Sequence, residues 1–341
     1  MNNRNTLFLD GIFRSGTTFF SRILDAFPNS YVLDDPISFF HHYIMMKERR
    51  WSLPNPKDMI KRREIDLISF PADPGALKEN LAIYVKRIEA LDDNLRADLL
   101  RCIEQINNKM SFIEIFSNII STMRLHSSAS LVGIKATFHH RFREAILDAM
   151  PDMKWVTIVR DPRAIYNSSK VSHGEDISFM CKCWNSLIDS FSEVKPEQRE
   201  RFLVIRYEDL VLKPNITISR VAKFLNVNID IDGFIKNLQL KDNVGSTWFS
   251  NSSYKEDGSS WMNAGVKSQS YFYKKSIDKW EKMLSLAEKR VIYKLCMNNM
   301  EKMGYEPSNE RKSYGEEARD SILWLFQPRT MKSCLKFLLN I

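Results

Sequence analysis

Residues 6–20 read Thr6-Leu7-Phe8-Leu9-Asp10-Gly11-Ile12-Phe13-Arg14-Ser15-Gly16-Thr17-Thr18-Phe19-Phe20, and this stretch sets the architecture of the chain. The apolar run over residues 6–9 has the length and composition of a buried strand. Gly11 and Gly16 punctuate the turn behind it. Beyond the turn, Phe19, Phe20, Ile23, Leu24 and Phe27 recur at helical spacing, so the segment predicts a strand, a glycine-containing loop and a helix in succession. Such a junction aims unpaired backbone N–H groups and the positive end of a helix dipole at one point. Arg14, Ser15, Thr17 and Thr18 add side-chain donors, which makes the loop a pocket for an anionic group.

The alternation continues outward from this loop. Residues 31–33 form a short second strand that ends in Asp34-Asp35-Pro36. Residues 131–134, 155–159 and 202–205 are further apolar runs of strand length, and helical patterns separate them over 142–150, 179–194 and 215–225. Pro151 closes the first of those helices, and Pro162 suits the first turn of another. Strands divided by helices imply an α/β domain of three layers, with a central, mostly parallel sheet covered on both faces. In such sheets the carboxyl ends of the strands line the ligand crevice, which places Asp34 and Asp35 for chemistry.

Between about 41 and 125 the character changes. Basic clusters (Lys47, Arg49, Arg50; Lys61, Arg62, Arg63) and four prolines precede a long helical pattern over 91–106. We expect a mostly helical insertion over the sheet edge, a place for acceptor specificity whose charges also suit a solvated helix face. Residues 241–270, rich in Ser, Asn and Gly, read as a surface loop. The expected organisation is one domain over 1–310 and a C-terminal helical tail over 311–341. The tail mixes Trp324, Phe326 and Leu338 with Arg329, Lys332 and Lys336, a pattern for packing on the parent domain or for peripheral contact with a membrane.

Composition narrows the function classes. Of 341 residues, 44% are hydrophobic and 27% charged, the balance of a soluble globular protein, and no apolar run approaches membrane-span length. Asn2, Asn3, Arg4 and Asn5 lead straight into the first strand without a secretory pattern, so the expected location is cytoplasmic. Five cysteines without a C-x-x-C pair argue against a disulfide framework and against structural zinc, and no metal site is expected. A formal charge of +8 favours an anionic partner, either nucleic acid or a phosphate-rich small molecule.

The loop comes close to a nucleotide-binding P-loop, G-x-x-x-x-G-K-[ST], but Thr17 stands where the lysine should be, and the cation has moved to Arg14. Arg14-Ser15-Gly16-Thr17-Thr18 after a strand resembles instead the 5′-phosphosulfate loop of sulfotransferases that use 3′-phosphoadenosine 5′-phosphosulfate (PAPS). A second motif strengthens the likeness. Residues 155–168 resemble the 3′-phosphate segment of the same family, in which a strand ends in Arg and a Ser follows eight positions later; here these are Arg160 and Ser168. A guanidinium forks onto phosphate oxygens, and a hydroxyl near the helix start completes the shell. Arg206-Tyr207-Glu208-Asp209-Leu210 and the 279–307 segment are similar to the carbohydrate and tyrosylprotein branches, which implies nucleotide contacts from Tyr207 and Lys279.

The resemblance implies transfer of a sulfuryl group from PAPS, without metal, to a hydroxyl on a sugar, glycoconjugate or other small molecule. It implies that Arg14 and the N–H groups of Ser15, Gly16, Thr17 and Thr18 hold the 5′-phosphate, and that Lys135 assists the sulfuryl oxygens. Asp35 matches a catalytic Glu of those branches but is one methylene shorter, and His139 and His140 are the alternative bases. Two other functions use the same features: a P-loop-type small-molecule kinase, for which no lysine or magnesium ligands are found, and a nucleic-acid-binding protein, whose basic residues need not coincide with two phosphate motifs. The oligomeric state is left open.

Overall fold

The structure is a computed structural model and describes residues 5–34, 74–87, 91, 93–126, 129–172, 176–241 and 271–306. The anion loop lies between β1 (Asn5–Asp10) and α1 (Thr17–Asp25), and β2 (Ser30–Asp34) follows. Three helices come next, α2 (Pro74–Arg87), α3 (Asp93–Glu104) and α4 (Phe112–His126). Then strands and helices alternate as β3 (Leu131–Lys135), α5 (Arg143–Ala149), β4 (Met153–Val159), α6 (Pro162–Ser172), α7 (Ile177–Asp189) and β5 (Phe202–Arg206). The described chain closes with α8 (Tyr207–Leu212), α9 (Pro214–Leu225), α10 (Ile231–Lys236), α11 (Lys279–Met283) and α12 (Leu286–Lys302).

The five strands form one wholly parallel sheet in the order β2-β3-β1-β4-β5. Side chains alternate across it as strand geometry requires. Phe8, Val132, Ile134 and Trp155 enter the core shared with α2, α3, α4 and α5. Leu7, Leu9, Val156 and Ile158 enter the core shared with α1, α8 and α9. A third core gathers Ile12 and Val159 with α6, α7 and α12.

Four of the five strands run one residue past the expected apolar run, ending in Asp10, Asp34, Lys135 and Arg206. A parallel neighbour supplies backbone partners whatever the side chain, so the ladder continues where the hydrophobic signal stops. The helix expected over 142–150 is a 3₁₀ turn (His139–Phe142) followed by α5, and that expected over 179–194 is α7 followed by a 3₁₀ turn (Ser190–Glu193). The expected insertion contains α2, α3 and α4; its remainder over 41–73, the Ser-rich segment over 242–270 and the tail over 311–341 lie outside the described residues.

Strand order positions the site. The connection leaving β1 runs toward β2 on one side, and the one leaving β4 runs toward β5 on the other. The crevice between the carboxyl ends of β1 and β4 is therefore the topological switch point, the place where such sheets bind ligands. Both anion motifs read from the sequence, 11–18 and 160–168, emerge there.

Candidate active site

The loop after β1 is a tight turn, with Ser15 N–H and Ser15 Oγ both donating to the Ile12 carbonyl, at 3.3 and 2.7 Å. Arg14 and Gly16 have φ of 62° and 96°, the left-handed region that turns successive amides toward a common point. No side chain among the described residues caps α1 at Gly16, which leaves its first-turn N–H groups for an anion. Gly16 is also constrained by space. A Cβ there would run into the Tyr207 ring, which lies directly beneath the loop.

The second motif meets the first through side chains. Arg14 Nε donates to Ser168 Oγ at 2.8 Å, although 154 residues separate them. Arg160 follows β4; its guanidinium donates to the carbonyls of Arg14 (3.1 Å) and Ser276 (2.6 Å) and lies 4.2 Å over the Tyr207 ring. Trp184 Nε1 donates to the Arg160 carbonyl at 2.9 Å and fixes the backbone behind it. Arg160 Nε is buried without a hydrogen-bond partner among the described residues. Two cations and a hydroxyl thus converge at the switch point, with a donor to spare, a set that fits a ligand carrying two anionic groups.

Tyr207 is fully buried. Its hydroxyl hydrogen-bonds Ser276 Oγ at 2.9 Å, and its ring supports Gly16 and Arg160. The ring faces are covered by the loop on one side and the guanidinium on the other. Lys279 opens α11, three residues after Ser276, with Nζ 5.2 Å from the Tyr273 ring. Glu208 was not singled out by the sequence, yet it binds the motif from behind. It accepts from Asp161 N–H (3.0 Å) and from Tyr305 O–H (2.8 Å), and burial raises its pKa.

At the adjoining strand ends, Asp34 and Lys135 are direct register neighbours on β2 and β3. Lys135 Nζ lies 2.8 Å from Asp34 Oδ1, and Arg22 Nη2 lies 2.7 Å from Asp34 Oδ2. Lys135 is only 2% exposed, so it is held beneath the surface rather than standing at an open mouth. Arg22, which the sequence reading did not single out, is a buried cation within the apolar stripe of α1. Asp35, the expected base, lies outside the described residues.

The two histidines weighed as alternative bases are core groups. His139 packs at a tilt against Phe8 and donates Nδ1–H to the Thr137 carbonyl at 2.7 Å, and burial pushes its pKa down to about 4. His140 Nε2 meets Ser186 Oγ at 3.2 Å, and its Nδ1 lies 3.8 Å from Asp10. Asp10 is itself fully buried, which raises its carboxyl to about 7.

A model described as "Sulfotransferase family" matches residues 7–231, more than half of the chain. Among solved structures, the sulfotransferase domain of the Synechococcus PCC 7002 olefin synthase is 17% identical, with 90% of this chain and 97% of that chain covered and a TM-score of 0.55. A sulfotransferase domain from the curacin biosynthetic pathway (17% identity, 89% and 99% covered) and a mouse sulfotransferase complexed with PAP (12%, 87% and 85%) give TM-scores of 0.47 and 0.43. No curated protein sequence matches.

Proposed function

This chain belongs to the sulfotransferase family, and from that premise we propose that it transfers the sulfuryl group of PAPS to a hydroxyl acceptor. The observation that carries the reading is the Arg14–Ser168 hydrogen bond, which joins the two anion motifs into one site. PAPS supplies an activated sulfur bonded to a phosphate oxygen. The acceptor oxygen forms a bond to that sulfur as the bond to the bridging oxygen breaks, and 3′-phosphoadenosine 5′-phosphate (PAP) departs with the electron pair.

The chain's own groups position and neutralise. Arg14 and the amides of residues 15–18 hold the 5′-phosphate and offset charge on the leaving oxygen. Arg160 and Ser168 hold the 3′-phosphate, with Tyr207 and Ser276 fixing the guanidinium. Lys135, paired with Asp34 at the end of β3, assists the sulfuryl oxygens. Asp35 accepts the acceptor's proton. The carbohydrate-branch motifs favour a sugar hydroxyl as acceptor, and the cytoplasm is the compartment expected from the sequence. Calorimetry with PAP tests the core reading: micromolar binding is expected, with a loss of about 100-fold in Arg160→Ala. Absence of binding at millimolar PAP, or an unchanged affinity in the variant, would sink it.

A further inference from the structure

Resting on the sulfuryl-transfer reading, we propose that Arg22 is a positioning residue for Lys135: by sharing the Asp34 carboxylate with that lysine it fixes where the ammonium stands and leaves part of its charge for the sulfuryl group. The three side chains come from three elements, α1, β2 and β3. Val32 and Leu131 enter the core shared with α1. Asp34 and Lys135 follow them by two and four residues, so strand alternation sets both on that same face. Arg22 meets them from the helix, where Phe19 and Ile23 beside it are buried.

The carboxylate is divided between the two cations. Asp34 Oδ2 lies 2.7 Å from Arg22 Nη2, and Asp34 Oδ1 lies 2.8 Å from Lys135 Nζ. Asp25, a second carboxylate in the field of Arg22, accepts from the Val32 N–H through Oδ1 at 2.7 Å, and burial raises its pKa. Arg22 Nε is buried with no hydrogen-bond partner among the described residues. An apolar side chain would hold α1 against the sheet as well, because burying a second cation on one carboxylate carries a desolvation cost. Clustered buried charges of this kind concentrate where charge takes part in chemistry.

A carboxylate set between two cations neutralises each only in part. Without Arg22, both Asp34 oxygens are available to Lys135, and the pair closes on itself. With Arg22 on the second oxygen, the carboxylate cannot turn onto the lysine, and Lys135 keeps a net attraction for an anion at the carboxyl end of β3. That end adjoins the strand whose loop holds the phosphosulfate in the proposed function: Lys135 is the register partner of Leu9, two residues before Gly11. In so dry a setting the remaining charge is weakly screened.

The test is calorimetry with PAPS and with PAP, which differ by the sulfuryl group alone, so no acceptor is needed. Lys135→Met is expected to weaken PAPS about tenfold and Arg22→Met about fivefold, with PAP within about twofold of the wild type in both. Because Arg22 acts through Lys135, the double variant should lose no more than Lys135→Met does. Arg22→Lys, which returns a cation to Asp34, should recover most of the PAPS affinity. Should Arg22→Met melt below the assay temperature, Arg22→Gln carries the same comparison. Equal losses of PAP and PAPS, losses that multiply in the double variant, an unaltered PAPS affinity in either single variant, or no recovery in Arg22→Lys would overturn the positioning role alone. Failure of the wild type to bind PAP would overturn the underlying function and the positioning role with it.

Discussion

Arg14 Nε donates to Ser168 Oγ at 2.8 Å, so the loop after β1 and the helix after β4 share one polar contact at the mouth of the crevice. Under the proposed function each residue orients the other toward the same nucleotide. Ser168→Ala should therefore weaken PAP by about tenfold, through the lost hydroxyl and through a less constrained Arg14. Calorimetry beside a thermal melt checks this, since an unaltered PAP affinity would place Ser168 outside the nucleotide site.

Gly16→Ala should be costly for two separate reasons. Its φ of 96° is strained for any L side chain, and the added methyl meets the Tyr207 ring. A loss of about 2–4 kcal/mol in unfolding free energy is expected, together with loss of PAP binding. Tyr207→Phe, which removes only the hydroxyl bonded to Ser276, should cost about 1 kcal/mol. Denaturant titration separates the two, and comparable costs would contradict the packing described.

Asp34 neutralises both Arg22 and Lys135 in a nearly dry setting, with side-chain exposures of 11%, 4% and 3%. Asp34→Asn removes the carboxylate that both buried cations contact, a loss of about 3 kcal/mol. If Asp34 also orients Lys135 for transfer, kcat falls further than PAP affinity does. A variant as stable as the wild type would show the pairing to be energetically idle.

The base is tested by Asp35→Asn, for which turnover should fall at least about 100-fold with PAP affinity nearly intact. His139→Gln should by contrast lower stability, because a ring held neutral by burial and by the Thr137 carbonyl contributes to the core. Full turnover in the Asp35 variant would refute the assignment.

Asp10 links folding to pH. Its carboxyl titrates near 3.8 when exposed and at about 7 in the fold, so the folded state binds the extra proton between those values. Its contribution is favourable below about pH 4 and is lost as pH rises toward 7. Asp10→Asn, which keeps an acceptor for the His139 N–H, should gain stability relative to the wild type across that window by a few kcal/mol and level off above it. Melting temperatures of both proteins from pH 4 to 8 give the result, and parallel curves would count against it.

Local signals made much of this protein legible. The apolar runs gave all five strand cores to within two residues, Pro162 marked the start of α6, and the glycines of the first loop pointed to an anion site. Arg160 and Ser168 were read together from the resemblance to the family's 3′-phosphate segment, whose eight-residue spacing spans a strand end and two helical turns. The roles of Tyr207, Ser276 and Glu208 were not legible in that way. Each depends on which element lies behind the loop, and Tyr207 and Gly16 are 191 positions apart in the chain.

By itself, then, the sequence determined the parallel α/β alternation and the two anion motifs, because strand length, helical period and turn chemistry are properties of neighbouring residues. Only the tertiary structure decided that β3 inserts between β2 and β1, which sets Lys135 beside Asp34 and brings Phe138 against Phe13. Strand order follows from how whole faces bury against one another, and no local window carries that energy.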